Sequence, residues 1–113
     1  MTKKQRAIRD ADQAWRRLIL SRDISCRRCG KGPGSPYRQA HHVFSRRYRS
    51  TRWDARNGLG LCRGCHFWVH NHLRSADERD FYIGLGVPYD ALDLLSRTSG
   101  KGIDPATTAV LLD

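Results

Sequence analysis

Between Lys4 and Ser21 the apolar residues Ala7, Ile8, Ala11, Ala14, Trp15, Leu18 and Ile19 return every three or four positions, with arginine and aspartate between them. That spacing predicts a helix over about residues 4–21 with one buried face. A turn cluster, GKGPGSP at Gly30 to Pro36, follows, and Tyr37 to Phe44 reads as a strand. After an arginine-rich loop, NGLGLC (Asn57 to Cys62) reads as a second short strand opened by an Asn-Gly turn signal. RGCHFWVHNHL, from Arg63, has the length and composition of a helix. Further on, SADE at Ser75 has the capping-box spacing ahead of RDFYIGL, and Pro88 can open a last helix through Leu95. The residues after Gly100 read as a loosely attached tail. The order predicts an α+β fold: a strand, loop, strand, helix core over about 26–73, an N-terminal helix, and C-terminal helices over about 76–98.

Length makes this one domain, 1–113, with a core small enough that a structural metal would matter to its stability. No apolar run approaches the length of a bilayer span. The basic start MTKKQRAIRD leads into no apolar segment, so a cytoplasmic protein without a secretory signal is expected. Charge narrows the class of partner. With 21 Lys and Arg against 11 Asp and Glu the net charge is +10, concentrated in WRR, CRRC and SRRYRSTR. A field of that sign fits a polyanion, and arginine suits bidentate phosphate contacts. Arg46, Arg47, Arg49 and Arg52, all in the loop, are the candidates to hold a nucleic-acid backbone.

The four cysteines fall as two CxxC pairs, Cys26 with Cys29 and Cys62 with Cys65. Zinc takes four tetrahedral thiolates, and a CxxC turn presents two of them on one side. Gly30 and Gly64 suit the tight backbone of such knuckles. Two disulfides are the competing reading, but they are unusual without secretion. A redox CxxC normally comes singly, beside a βαβ pattern that this chain lacks. A structural four-cysteine zinc site is therefore expected.

The five histidines are clustered: His41 and His42 end the first strand, and His66, His70 and His72 lie together farther on. Residues four apart share a helix face, so His66 and His70 form a two-point chelate. At about 100° per residue His72 lies about 120° away from His66, toward solvent. With a histidine from the neighbouring strand the pair predicts a second metal site.

The ordered constellation of CxxC, HH, Asn57, CRGCH and His70 resembles the HNH endonucleases, the ββα-metal or His-Me finger type, in the branch supported by two CxxC knuckles. The layout HHVFSRRYRSTRWDARNGLGLCRGCH is similar to small phage and prophage nucleases. The resemblance implies a ββα-metal core, with His41, His66 and His70 holding the divalent ion of the active site and His42 acting as general base. It implies that Asn57 holds the loop and the base in place through its side-chain amide. Many members carry aspartate where this chain has His41, which leaves an all-imidazole site suited to Mn2+, Co2+, Ni2+ or Zn2+ at least as well as to Mg2+. The expected activity is hydrolysis of DNA phosphodiester bonds with low sequence preference, nicking one strand as a monomer and leaving a 5′ phosphate. The rival expectation is a non-catalytic zinc-ribbon nucleic-acid-binding module, which accounts for the cysteines and the charge but not for the order of histidines and asparagine.

Overall fold

The computed structural model describes residues 1–32, 38–100 and 103–112. Helix α1 spans Lys3–Arg22. It starts where the Thr2 hydroxyl accepts from the Gln5 backbone N–H at 3.1 Å and the Thr2 N–H donates to the Gln5 side chain at 2.8 Å, a reciprocal cap. Its buried residues Ala11, Ala14, Trp15 and Ile19 fall on the predicted apolar face. Strand β1 (Gln39–His42) leads through a one-turn helix α2 (Arg49–Arg52) and a 3-10 turn (Ala55–Asn57) to strand β2 (Gly58–Leu61). Helices α3 (Arg63–Asn71), α4 (Glu78–Gly84), α5 (Tyr89–Ser96) and α6 (Pro105–Leu112) complete the chain. The fold is α+β, with a single two-stranded sheet among the described residues.

The strands pair antiparallel, with His41 opposite Leu59 and His42 opposite Gly58. β2 is buried at every position, and its GLGL sequence divides the two faces. Leu59 and Leu61 enter a core with Cys26, Cys65, Val69, Tyr82 and Leu92. The glycines face α1, where a side chain would collide. A Cβ on Gly58 would lie 2.5 Å from both Ile19 Cδ1 and Trp15 Cζ2, and one on Gly60 would lie 2.7 Å from Asp23 Cβ. Side chains alternate along a strand, so the adjacent histidines diverge. His41 joins the leucine side, toward α3 and α4, and His42 joins the glycine side, against α1.

Several expectations are corrected. A 3-10 turn ending at Asn57 opens β2 as the Asn-Gly signal predicts, but Gly58 itself is in ordinary extended backbone at a φ of −130° and is needed to admit α1. Ser75 does not cap a helix: it opens a 3-10 turn (Ser75–Asp77), and α4 begins afterwards without a side-chain cap, with Glu78 and Asp80 in its first turn. The helix after Pro88 is not the last. Residues read as a loose tail form α6, and Ile103, Ala109 and Leu112 pack against the cluster of Ala11, Trp15, Ile19 and Trp53. Tyr37, and Pro33 to Pro36 of the turn cluster, lie outside the described residues, as do Lys101, Gly102 and Asp113. No helix among the described residues is long and apolar enough to cross a membrane.

Gly58→Ala is expected to cost about 1–3 kcal/mol through overpacking against Ile19 and Trp15. Gly64→Ala, whose Cβ would meet nothing within 4 Å, should change stability by no more than about 0.5 kcal/mol. Denaturant unfolding of the two variants measures the difference, and equal midpoints would contradict the close approach of α1 to β2.

Candidate functional site

Two turns bring the cysteines together. In the first, the Gly30 N–H donates to the Cys26 carbonyl at 2.9 Å and the Cys26 N–H to the Lys31 carbonyl at 3.1 Å, with Gly30 at a φ of 74° that favours glycine. In the second, Cys62 caps α3, its Sγ accepting from the Cys65 N–H at 3.4 Å. The four sulfurs lie within 4.8 Å of one another, and Cys29 Sγ is 3.8 Å from Cys62 Sγ. Sulfurs about 2.3 Å from a tetrahedral zinc ion are about 3.8 Å apart, so the donor set fits a structural metal ion such as zinc. All four cysteines are free thiols, without a disulfide. Burial raises the pKa of the Cys26 thiol, but backbone N–H groups of Cys29, Cys62 and Arg28 outweigh it and bring it down to about 6. Burial pushes Cys65 up to about 12, although Arg28 donates to its sulfur at 3.5 Å. The same guanidinium lies 3.7 Å above the Trp68 ring, which fixes it beside the cluster.

The second cluster is His41, His66 and His70, with ligand nitrogens also within 4.8 Å of one another. His66 and His70 sit one turn apart on α3, and their Nε2 atoms are 2.9 Å apart. Two nitrogens about 2.1 Å from one octahedral ion would be about 3 Å apart. His41, buried on β1, bonds through Nε2 to the Tyr82 hydroxyl at 2.8 Å. Its Nδ1 is buried without a hydrogen-bond partner, an orphan that a bound cation would satisfy. With Nδ1 as ligand, Nε2–H donates to Tyr82 and fixes the ring. Burial, reinforced by the charges on His66 and His70, lowers the His41 pKa to about 3. Burial and His70 lower that of His66. His72 is exposed at the end of α3 and outside the cluster, its ring 6.0 Å from Phe67.

His42 sits on the other side of β1, stacked on Trp15 with ring centroids 3.9 Å apart and planes 11° apart. Its Nε2 is 2.9 Å from the Arg52 carbonyl. A carbonyl only accepts, so Nε2 carries the proton and Nδ1 of the neutral ring keeps its lone pair. Burial lowers the His42 pKa, with the Arg52 carbonyl and Asp12 opposing it in part. Asn57, fully buried, holds the loop that supplies this carbonyl. Its Nδ2 donates to the Phe44 and Thr51 carbonyls, each at 3.0 Å, and its Oδ1 accepts from the Phe44 N–H at 2.7 Å. His41, His42, His66 and His70 all line one open cleft of about 630 Å3, with Arg46, Glu78 and Tyr82 on its walls.

The four loop arginines separate. Arg46 lines the cleft, and Arg47 is exposed, its guanidinium 5.0 Å from the Tyr48 ring. Arg49 faces elsewhere, packing on Trp53 beside Ile103 and Thr108. Arg52 is committed to Asp12, donating from Nε at 2.9 Å and from Nη2 at 2.8 Å, while the Trp53 indole N–H donates to the same carboxylate at 2.9 Å. Burial raises the pKa of Asp12, but these bonds and the Arg52 charge hold the carboxyl below its ordinary range. Sequence reasoning missed Asp12, Trp15 and Tyr82. Asp12 and Trp15 share a face of α1 at i and i+3, a pattern that reads only as a helix edge, and nothing in RDFYIGL singles out its tyrosine.

Neither protein-family models, nor curated proteins, nor solved structures match this chain.

Cys26→Ser and Cys62→Ser should each lose bound zinc together with much of the secondary structure, because closure of the cluster contributes directly to folding. Metal analysis and circular dichroism read this, and a folded variant with an unchanged thermal midpoint would refute it.

Proposed function

We propose that this chain is a metal-dependent DNA endonuclease of the HNH, or ββα-metal, type. The observation that carries the reading is the pairing of functions on β1: His41 completes a three-imidazole cluster with α3, while its neighbour His42 presents a tautomer fixed by a backbone carbonyl to the same cleft. A structural di-metal protein would not need that fourth imidazole. The net charge of +10 and the exposed arginines Arg46 and Arg47 at the loop support a nucleic-acid substrate held through its backbone.

His41, His66 and His70 would hold the divalent cation. Bound there, it would supply charge neutralisation on the phosphate and stabilise the departing 3′ oxygen. His42 Nδ1 takes a proton from water as the water oxygen attacks phosphorus. Its Nε2–H stays on the Arg52 carbonyl, which orients the ring and stabilises the imidazolium that forms. Trp15 stops the ring from tilting away, and Asn57 keeps the loop and its carbonyl in register. The bond to the 3′ oxygen breaks, that oxygen takes its proton from solvent, and the products are a 5′ phosphate and a 3′ hydroxyl. One such site cuts one strand, so nicking is the minimum activity.

Supercoiled plasmid incubated with the zinc-loaded protein and a panel of divalent cations tests the reading. Nicking is expected with manganese, cobalt or nickel at rates at least equal to that with magnesium, given three imidazole ligands. His42→Ala should lose at least about a hundredfold in rate while calorimetry still shows the second metal bound. DNA binding without cleavage under every cation would favour the zinc-ribbon module instead. His70→Ala should lose metal and cleavage together, whereas His72→Ala, outside the cluster, keeps both within a fewfold.

The pH profile follows from the lowered pKa of His42. A base whose pKa lies below the ordinary histidine value of about 6.5 keeps its lone pair as pH falls to that value and loses it only lower. Nicking rates are therefore expected to fall to half their plateau only below about pH 6.5. A midpoint above about 7 would contradict the assignment of His42 as the buried, neutral base.

A further inference from the structure

Beyond the histidine cleft, α1 and the loop enclose a smaller recess of about 170 Å3, lined by Asp12, Trp15, Arg16, Ala40, His42 and Arg46. It shares Ala40, His42 and Arg46 with the cleft, so the two are continuous past the face of His42. Its one acid, Asp12, is already occupied: two N–H groups of Arg52 and the Trp53 indole N–H bind its carboxylate. Arg52 takes up the hydrogen-bonding capacity of Asp12, which feels Arg46 only through space, and the guanidiniums of Arg16 and Arg46 are left without a direct partner. Both are exposed, and neither guanidinium has a hydrogen-bond or ion-pair partner among the described residues. One comes from α1 and the other from the loop before α2, so they approach the recess from two sides. Two guanidiniums free to turn toward a recess open to solvent, with the local carboxylate held by Arg52, form a site for an anion with several acceptor oxygens.

We propose that Arg16 and Arg46 form a second phosphate site, which holds a backbone phosphate of the DNA strand next to the one that is cleaved. The inference rests on the nuclease reading for the identity of the strand, but not for the site itself. Arg46 stands at the boundary of cleft and recess, so a strand entering the cleft passes Arg46 and meets Arg16 beyond it. The helix α1 is then part of the substrate track and not only the support of the sheet. The Asp12–Arg52 pair has a matching role: the carboxylate that lines the recess is held by a guanidinium and does not face a phosphate bare.

Fluorescence anisotropy with a short labelled DNA duplex, zinc-loaded protein and no other divalent cation tests the site apart from catalysis. Dissociation constants are measured across a salt series for the wild type, Arg16→Ala, Arg16→Lys, Arg46→Ala and Lys4→Ala. Lys4→Ala removes the same charge from the same helix about 18 Å away. Arg16→Ala and Arg46→Ala are each expected to weaken binding roughly fivefold and to reduce the salt slope by about 0.9, the loss of one phosphate contact. Arg16→Lys should recover the slope and part of the affinity, and Lys4→Ala should stay within twofold with the slope unchanged. If Arg16→Ala behaves like Lys4→Ala while the wild type nicks plasmid, the second phosphate site is wrong and the nuclease reading stands. If the wild type binds no DNA even at low salt, both fall.

Discussion

The pairing of His41 with Leu59 and of His42 with Gly58 is the constraint on which the rest depends. Strand side chains alternate, so this register gives two adjacent imidazoles opposite surroundings: one meets α3 and Tyr82, the other meets α1. A slip by one residue would exchange the two faces, putting His42 toward His66 and His70 and His41 against Trp15. Glycine at 58 and 60 and leucine at 59 and 61 oppose such a slip from the other strand. Leucine on the α1 side would collide with Ile19 and Trp15, and glycine on the core side would leave a void.

Helix α3 transmits a second constraint. Its N-cap is Cys62 and its first turn carries Cys65, so closure of the sulfur cluster fixes both the start and the rotation of the helix. His66 and His70 follow in the same nine-residue helix. With the helix rotation set at one end by sulfur and the strand register set by β2, the buried His41 meets His66 and His70 at the edge of the core. The chemistry of the two clusters matches this division. Four sulfurs can close a tetrahedral shell around a metal ion, whereas three imidazoles at the edge of an open cleft would leave positions free for other ligands.

Much of this was legible in the chain because it depends on local periodicity. The face of α1, the two knuckles and the i,i+4 pair on α3 are set by residues close in sequence, and the structure brings them together as spacing predicts. What the sequence hid depends on contacts between distant segments. The destination of Arg52 is decided by Asp12, forty residues earlier, and loop composition alone makes Arg52 equivalent to Arg46. Tyr82 becomes the partner of His41 only because α4 folds back across the cleft. The last helix is not legible in the chain because PATTAVLL has no helical alternation of apolar and polar residues in sequence; Ala109 and Leu112 are placed by their packing against α1.

The loop between the strands shows how a buried polar network can serve a site without entering it. A short connection carrying a one-turn helix and a 3-10 turn has backbone groups without ladder partners, and those facing the interior need substitutes. Asn57 supplies three of these bonds from one side chain, to Phe44 on one limb and Thr51 on the other. With both limbs tied, the Arg52 carbonyl next to Thr51 is directed at His42, and the Asp12 clamp prevents the Arg52 side chain from pulling its backbone out of line. An alanine at 57 would leave the Phe44 N–H and carbonyl to find water, at about 1–3 kcal/mol for each group left unpaired, and would strip the Thr51 carbonyl of its tie to the other limb, leaving it only local backbone partners such as the Asp54 N–H. The loop would shift to relieve that cost, and with it the carbonyl that decides which nitrogen of His42 carries the proton. Under the proposed reading, Asn57 therefore acts on the reaction through backbone geometry alone, two hydrogen bonds removed from the base.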